Sequence, residues 1–417
     1  MRLIVPNLTF EDDLVGRRAN VSVHAQRAFR ELAPLMGHVA DDGDVVVVPD
    51  IPKPQDLPLS LQHVAFRQLS KWKHHHAVAA TSIVPWGWTQ PLRTLATDAG
   101  YNLEYVPSPA AVYEVNSRRF NAGHDVLSMA TDTEGGFEGG FEGGTFGLLC
   151  DSIDAWQDGV RQLQSSGYNR WVTKAQISHA GRNRLLGSGI ELNDQQRGWL
   201  AKQLAMPSSS SQGDGVSLEP WVPVIDECGL QFEIAPFAAQ PPDQPTVEFI
   251  GITQLINDNV GRYRGSLIAA DDRLQQSWQT AIQHGFAVCQ AARAVGYWGP
   301  LGIDAFRFML PTGDIALRLC NDINARFTMG RVALHLRKWL QSNEYGLWTH
   351  HVRPTDPMEF ATLSKTLSKL PAAGVRTVAT SPQQIAGETV RQQTSLLISH
   401  SSEQLLHVAQ KLQNPIG

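Results

Sequence analysis

The sequence predicts an α/β unit followed by a larger α+β body, on three observations. From Met1 to about Tyr113 short apolar runs alternate with amphipathic stretches, and one run, Val45–Val48, is four valines in succession, the mark of a strand buried on both faces of a parallel sheet. From Leu218 onward the pattern changes to long strands joined by turns, and it includes a hairpin, "GIDAFRFMLPTGDIALRLCNDINA". No GxGxxG follows the first strand, so a dinucleotide-binding unit is not expected despite the α/β rhythm.

Taken in order, the first unit offers the strand "RLIV", a helical stretch around Ala25–Met36, the strand "DVVVVPD", a helix near Leu59–Trp72, the strand "HAVAATSIV", a helix near Pro91–Ala99 and the strand "LEYV". A small mobile lobe is expected next. It has the glycine-rich "TEGGFEGGFEGGTFG", a helix over Ile153–Ser165, the strand "NRWVTKAQ" and the low-complexity "PSSSSQGDG" at Pro207–Gly215, whose composition suits hinge motion. "LEPWVPVIDECGLQFEIAP" and "TVEFIGITQLI" then read as strands, about Asp271–Val295 as a long helix, and "RVALHLRKWLQ", "TSLLISH" and a helix after Ser401 and Ser402 as the tail. The expected divisions are 1–113, 114–217, 218–335 and 336–417.

The chain of 417 residues is too long for one compact core. A net charge of -5 gives no reason to expect nucleic acid as a partner. The cysteines Cys150, Cys228, Cys289 and Cys320 lie far apart with no CxxC pair, so neither a disulfide framework nor a zinc site is suggested. No apolar run is long enough for a membrane span or a signal peptide, and a soluble cytoplasmic protein is the expectation.

The chemistry concentrates in "RLCNDINAR", Arg318–Arg326. Read with a period of two, Leu319, Asn321, Ile323 and Ala325 face the core, while Arg318, Cys320, Asp322, Asn324 and Arg326 share the other face. Pairing around Gly313 sets Asp304 opposite Asp322, and two facing carboxylates repel unless a cation sits between them. With Asn324 they form an oxygen-only set suited to Mg²⁺, and Arg318 and Arg326 would meet phosphate or carboxylate oxygens held by the metal. A metal with so few protein ligands usually accompanies a nucleotide. Lys174, at a strand end before a loop with Gly181, Gly187, Gly189, Arg182 and Arg184, is the candidate phosphate cradle.

The order of "NSRRF", the strand with Lys174 and its glycine loop, "LEPWV", "GITQLINDNVGRYRGS", "GPLGIDAF" and "NDINAR" resembles the ATP-grasp superfamily over about Met1 to Gly330. The resemblance implies an ATP-grasp fold with an N-terminal parallel-sheet pre-ATP-grasp domain, a small lobe and an antiparallel-sheet lobe. It also implies a reaction in which ATP phosphorylates a carboxylate, an amine attacks the acyl phosphate, and ADP and phosphate leave. By the same resemblance Lys174 would bind the α/β-phosphates and Arg119 or Arg118 would be the basic residue before the small lobe. Glu219 would sit at the adenine hinge with Trp221 and Val222 offering backbone, and Asp226 or Glu227 would hold the ribose. Asp304, Asp322 and Asn324 match the magnesium positions, and Arg326 would face the transferred phosphoryl group. The expected cofactors are ATP and Mg²⁺. The expected partners are a small-molecule carboxylate and amine, from amino-acid, peptide or coenzyme assembly, with a homodimer as the candidate assembly. A kinase on the same fold and a non-catalytic ATP-binding module are the alternatives.

"KWKHHH" (Lys71–His76), His350 and His351 read as solvated or structural histidines rather than metal ligands. Arg262 and Tyr263 could contact the acyl substrate or simply form a turn. Trp86 and Trp88 follow a buried strand at the edge where α/β sheets bind ligands.

Overall fold

The computed structural model describes residues 1–17, 21–69, 82–129, 146–179, 182–206, 215–237, 245–353 and 370–413. Valines 45–48 form the expected strand, inside a four-stranded parallel sheet ordered Ala65–Gln68, Val45–Val48, Arg2–Val5, Ser82–Pro85. Two local expectations fail in this unit. As far as Leu69, where the described residues stop, the stretch expected as a helix near Leu59–Trp72 is a 3₁₀ turn, Leu59–Leu61, and the strand Ala65–Gln68, in which Phe66 pairs with Val46 and joins the core. "LEYV" makes no strand.

The body is a nine-stranded antiparallel sheet. Its order is Arg376–Ala379, Gln392–Ser399, Tyr345–Val352, Tyr263–Ala269, Val247–Asn257, Val224–Ile234, Gly299–Met309, Ile315–Asn324 and Leu127–Met129. Tyr263–Ala269 and Tyr345–Val352 are strands that local pattern did not single out. The C-terminal strands extend this sheet, and Leu127–Met129 covers its opposite edge.

The helix Gln279–Ala294 buries Ala281, Ile282, Gly285, Val288, Cys289 and Ala292, a stripe at helical spacing laid on the central strands. The same apolar cluster runs from Ile4, Phe10 and Val46 of the parallel sheet through to Leu230, Phe232 and Ile303 of the large one, so these two layers share a core. A third sheet, ordered Leu148–Cys150, Val216–Pro220, Arg170–His179, Arg182–Ser188, has a core of its own around Trp156, Trp171, Leu200 and Leu218. Most of the glycine-rich segment and "SSSSQGD", expected to act as hinges, lie outside the described residues. All four cysteines are buried free thiols, and no described helix is long and apolar enough to cross a membrane.

Gly285 lets the helix approach the sheet: a β-carbon there would collide with the Phe232 ring and lie 3.5 Å from Ile303 Cδ1. Gly285→Ala is therefore expected to destabilise the fold by roughly 1–3 kcal/mol through overpacking, despite alanine's better helix propensity. A urea titration showing a lower midpoint with an unchanged slope would bear this out; an unchanged or higher midpoint would refute it.

Candidate active site

The site is built around an irregularity in the hairpin. Gly302 pairs with Asn324, Ile303 with Ile323 and Asp304 with Asp322, but Phe306 then pairs with Arg318, so the second strand carries extra residues between its ladder partners. This bulge re-aims Asn321. Its Oδ1 accepts from Arg318 Nη1 at 2.7 Å and from Lys174 Nζ at 3.4 Å. Strict alternation had assigned Asn321 to the core face with Leu319 and Ile323. The bulge is why that assignment fails.

Arg318 is also corrected. Its guanidinium is 2% exposed and grips Asp125 with two hydrogen bonds, of 2.8 and 2.7 Å, and Glu219 Oε2 with a third of 2.7 Å. Phe146 and Phe306 lie 4.7 and 5.7 Å from the guanidinium carbon. Every direction is filled by a fixed partner, so Arg318 holds the site's frame together and does not reach out to phosphate. Lys174 joins the same network, donating to Glu219 Oε2 at 2.7 Å. Burial pushes the lysine's pKa down while Glu219 opposes that shift. Despite its own burial, Glu219 is held well below the usual carboxylate range by Arg318, Lys174 and Arg118 together.

Of the two arginines in "NSRRF", Arg118 reaches the paired carboxylates. Its Nη1 lies 2.9 Å from Asp322 Oδ1 and its Nη2 donates to Asp322 Oδ2 at 3.2 Å, a two-point contact from a side chain only 5% exposed. Ser117 caps this short helix, Arg118–Ala122, and Asn121 donates to the Asn321 carbonyl at 3.3 Å. The Arg119 backbone N–H donates to Gln176 Oε1 at 3.1 Å, which ties the helix to the lysine's strand.

Asp304 stands across from Asp322, and burial together with the nearby Asp322 and Glu227 carboxylates raises its pKa well above the ordinary value. Glu227 is pushed up to about 7 by burial, even though Asn257 Nδ2 donates to it at 2.5 Å. Asn324 Oδ1 accepts from Arg326 Nη2 at 2.8 Å, and the same nitrogen lies 2.7 Å from Glu11 Oε1. Lys174 and Arg318 are matched by Glu219 and Asp125, Arg118 by Asp322, and Arg326 by Glu11. Among the described residues no cation pairs with Asp304 or Glu227. Two carboxyls short of positive charge, beside an amide oxygen, fit a hard divalent cation; among the described residues no three acids, histidines or cysteines converge into a complete metal cage, so such an ion would take its other oxygens from elsewhere.

No family model and no curated protein matches the chain. Solved structures do. N5-carboxyaminoimidazole ribonucleotide synthetase in an ADP complex superposes with a TM-score of 0.53 at 11% identity, covering 92% of this chain and 93% of that one. N5-carboxyaminoimidazole synthetase from Staphylococcus aureus gives 0.52 at 12% identity, covering 97% and 95%. The biotin carboxylase domain of the Hydrogenobacter thermophilus 2-oxoglutarate carboxylase, solved with MgADP, ADP and bicarbonate, gives 0.50 at 9% identity, covering 95% and 85%. The chain has the ATP-grasp fold.

Within this ATP-grasp fold the remaining candidates separate. The Glu219 carboxylate is committed to Lys174, Arg318 and Ser217, so at the expected hinge only its backbone is free of that network. Trp221 N–H donates to the Arg170 carbonyl at 2.9 Å, and Val222 packs with Phe146, Phe306 and Phe308. Asp226 accepts from Arg307 at 2.8 Å, and Arg307 stacks on Trp278, which leaves Glu227 as the member of that pair facing Asp304 and Asp322. Gly187 and Gly189 serve Trp171: a β-carbon at Gly187 would strike its ring, and the Gly189 carbonyl accepts from its Nε1 at 2.8 Å. Arg184 donates to the Val260 carbonyl and covers Trp221 at 5.4 Å, a contact between the small sheet and the loop after Val247–Asn257. Gly181 and "KWKHHH" lie outside the described residues. His350 is half-buried between Trp348 and Tyr263, loss of solvation and the neighbouring His351 push its pKa down to about 3, and Tyr263 bonds Ser266 at 2.9 Å.

Asp125, Asn121, Asn257, Asn321 and Glu11 belong to the site but were not found from sequence. Only "NDINAR" carried a local signal, through the amide beside Asp322; the others come from distant segments.

The raised pKa of Glu227 sets a pH dependence. Its protonated form is favoured in the folded state, so that contribution is complete below about pH 4.5, the ordinary value, and is lost as pH rises through about 7. Stability without added metal should therefore fall between about pH 5 and 8, and Glu227→Gln should flatten that fall. Urea midpoints across the range measure it, and a variant with the wild-type slope would refute the assignment.

Proposed function

We propose that this protein is an ATP-dependent ligase that joins a carboxylate to an amine through an acyl phosphate and releases ADP and phosphate. The observation that carries the reading is geometric: among the described residues no cation pairs with the neighbouring carboxyls Asp304 and Glu227, in a site where Arg118, Lys174 and Arg326 each face an acid of their own. Asp304, Asp322 and Asn324 would hold Mg²⁺, which supplies positive charge to the phosphate oxygens when bound. Lys174 is the point charge for phosphates that stay on the nucleotide, with Glu219 and Asn321 fixing its direction. The backbone around Trp221 and Val222 is the adenine edge, and Glu227 the ribose or metal-side acid. Arg326, beside Asn324, stabilises charge on the phosphoryl group in transit. Phosphoryl transfer asks a protein mainly for position and charge, which this set provides. The similar structures solved with ADP or MgADP support nucleotide binding at this fold.

The reading is tested by incubating the protein with ATP, Mg²⁺ and pools of carboxylic acids and amines while following ADP and phosphate. A ligase is expected to release phosphate only when both substrates are present. ADP with a stable phospho-product from one substrate would identify a kinase instead, and no turnover with any pair would sink the ligase reading. Asp304→Asn keeps the shape of the protonated acid, so it should stay folded while losing Mg²⁺-dependent turnover; wild-type rates in that variant would remove Asp304 from the metal set.

Lys174 and Arg326 should differ in kinetics. Lys174→Ala is expected chiefly to raise KM for ATP, because its contact exists before and during transfer. Arg326→Ala is expected to lower kcat by roughly 10²-fold, with Arg326→Lys recovering part of it. An Arg326→Ala enzyme with normal kcat and weakened ATP binding alone would show the arginine to be a nucleotide anchor.

A further inference from the structure

Arg326 is held by the N-terminal segment as much as by its own strand. Its Nη2 lies 2.7 Å from Glu11 Oε1 and donates to Asn324 Oδ1 at 2.8 Å, while Nη1 donates to the Phe327 carbonyl at 2.8 Å. The rings of Phe10 and Trp86 flank the guanidinium carbon at 5.9 and 5.5 Å. Both charged partners are nearly out of water, with side chains 11% and 9% exposed, so the attraction between them is weakly screened.

The surrounding backbone makes this contact rigid. Asn7 clasps Gly87 in both directions, donating to its carbonyl at 2.7 Å and accepting from its N–H at 3.3 Å. The Phe327 N–H donates to the Trp86 carbonyl at 2.7 Å, which joins the turn after Ser82–Pro85 to the residue next to Arg326. Glycine at 87 is needed for the approach, since a β-carbon would strike the Phe10 ring and come within 2.9 Å of Arg326 Cβ. Among the described residues the buried Nε–H of Arg326 has no acceptor.

We propose that Glu11 is a positioning residue for the reaction. It occupies Nη2 together with Asn324, fixes the plane of the guanidinium against Phe10 and Trp86, and leaves the Nε–H for an anionic oxygen of the reacting groups. By balancing part of the arginine's charge, it also keeps Arg326 from collapsing onto the neighbouring carboxylates when no substrate is bound. The ATP-grasp lobe would then depend on the first residues of the chain for the orientation of its phosphoryl-facing arginine. The proposal rests on the ligase reading of the site.

The test compares Glu11→Gln, Glu11→Asp, Arg326→Lys and the Glu11→Gln/Arg326→Lys double variant. The readouts are kcat and KM for MgATP, with the carboxylate and amine pair that supports turnover, alongside melting temperature. Glu11→Gln is expected to lower kcat about tenfold or more, as a misaligned catalytic group does, with KM for ATP changed less than about threefold. Glu11→Asp should recover part of the rate. Where Arg326→Lys is already present, Glu11→Gln should cost little further, because both changes act on one guanidinium. A Glu11→Gln enzyme that melts lower but keeps the wild-type kcat would overturn the proposal and make the ion pair structural. So would fully multiplicative losses in the double variant. Should Glu11→Gln fail to fold by circular dichroism, Glu11→Asp carries the same comparison of kcat, KM and non-additivity. A wild-type chain with no turnover would sink the ligase reading and, with it, the role given to Glu11; normal wild-type turnover with an unaffected variant sinks the role of Glu11 alone.

Discussion

A guanidinium with almost no exposure has to be matched in charge and satisfied in hydrogen bonds at once, and Arg318 imposes that condition on the whole site. Its partners come from different places: Asp125 from the loop before the edge strand, Glu219 from the small sheet, and Asn321 from its own bulged strand. Removing Asp125 or Glu219 would leave part of the buried charge uncompensated, which costs several kcal/mol, and removing Asn321 would leave one guanidinium N–H without its acceptor. The small sheet and the large sheet are thus joined through this buried cluster. Phe146, Phe306 and Phe308 close the apolar side of that cluster and keep water from it.

Lys174 inherits its position from this constraint. Glu219 accepts from both Lys174 and Arg318 through the same oxygen, so the lysine is drawn to the point where the small sheet meets Asn321. A charge balance then extends outward. Arg118 faces Asp322 and Arg326 faces Glu11, which leaves Asp304 and Glu227 as the acids whose ionisation the protein does not support by itself. That imbalance arises from the arrangement of side chains rather than from their number.

The three sheets contribute unequally. The large sheet supplies Glu227, Asp304, Asp322 and Arg318 on neighbouring strands, where register sets their separation. The small sheet supplies the lysine and Glu219 from a separately packed core around Trp156 and Trp171, whose rings meet edge to face at 5.0 Å. The N-terminal unit supplies Phe10 and Glu11 from the short helix Phe10–Leu14 and Trp86 from the turn after Ser82–Pro85, and its parallel sheet shares a core with the large sheet.

Much of this was legible in the sequence, for local reasons. Four consecutive valines demand a strand covered on both faces, and "LPTGD" with alternating flanks announces the hairpin; the register at its turn, Met309 with Ile315, would set Cys320 opposite Asp304, and the bulge is what brings Asp322 there instead. The helix Ile153–Ser165 follows from periodicity as well, whereas the strand expected to end at Lys174 runs on to His179 and sets the lysine in mid-strand, paired with Arg184 on one side and Ser217 on the other. The tertiary structure alone decided which charges are spent on each other. Period-two reading could not detect the bulge that turns Asn321 toward Lys174, nor the distant acids that fix Arg318 and Arg326. It also passed over Tyr263–Ala269 and Tyr345–Val352, whose strand state comes from pairing with each other and with Val247–Asn257 and Gln392–Ser399. Alternation and turn chemistry act between residues close in the chain and so can be read along it. Ion pairing in a dry interior acts between residues close in space, and only the folded chain determines which those are.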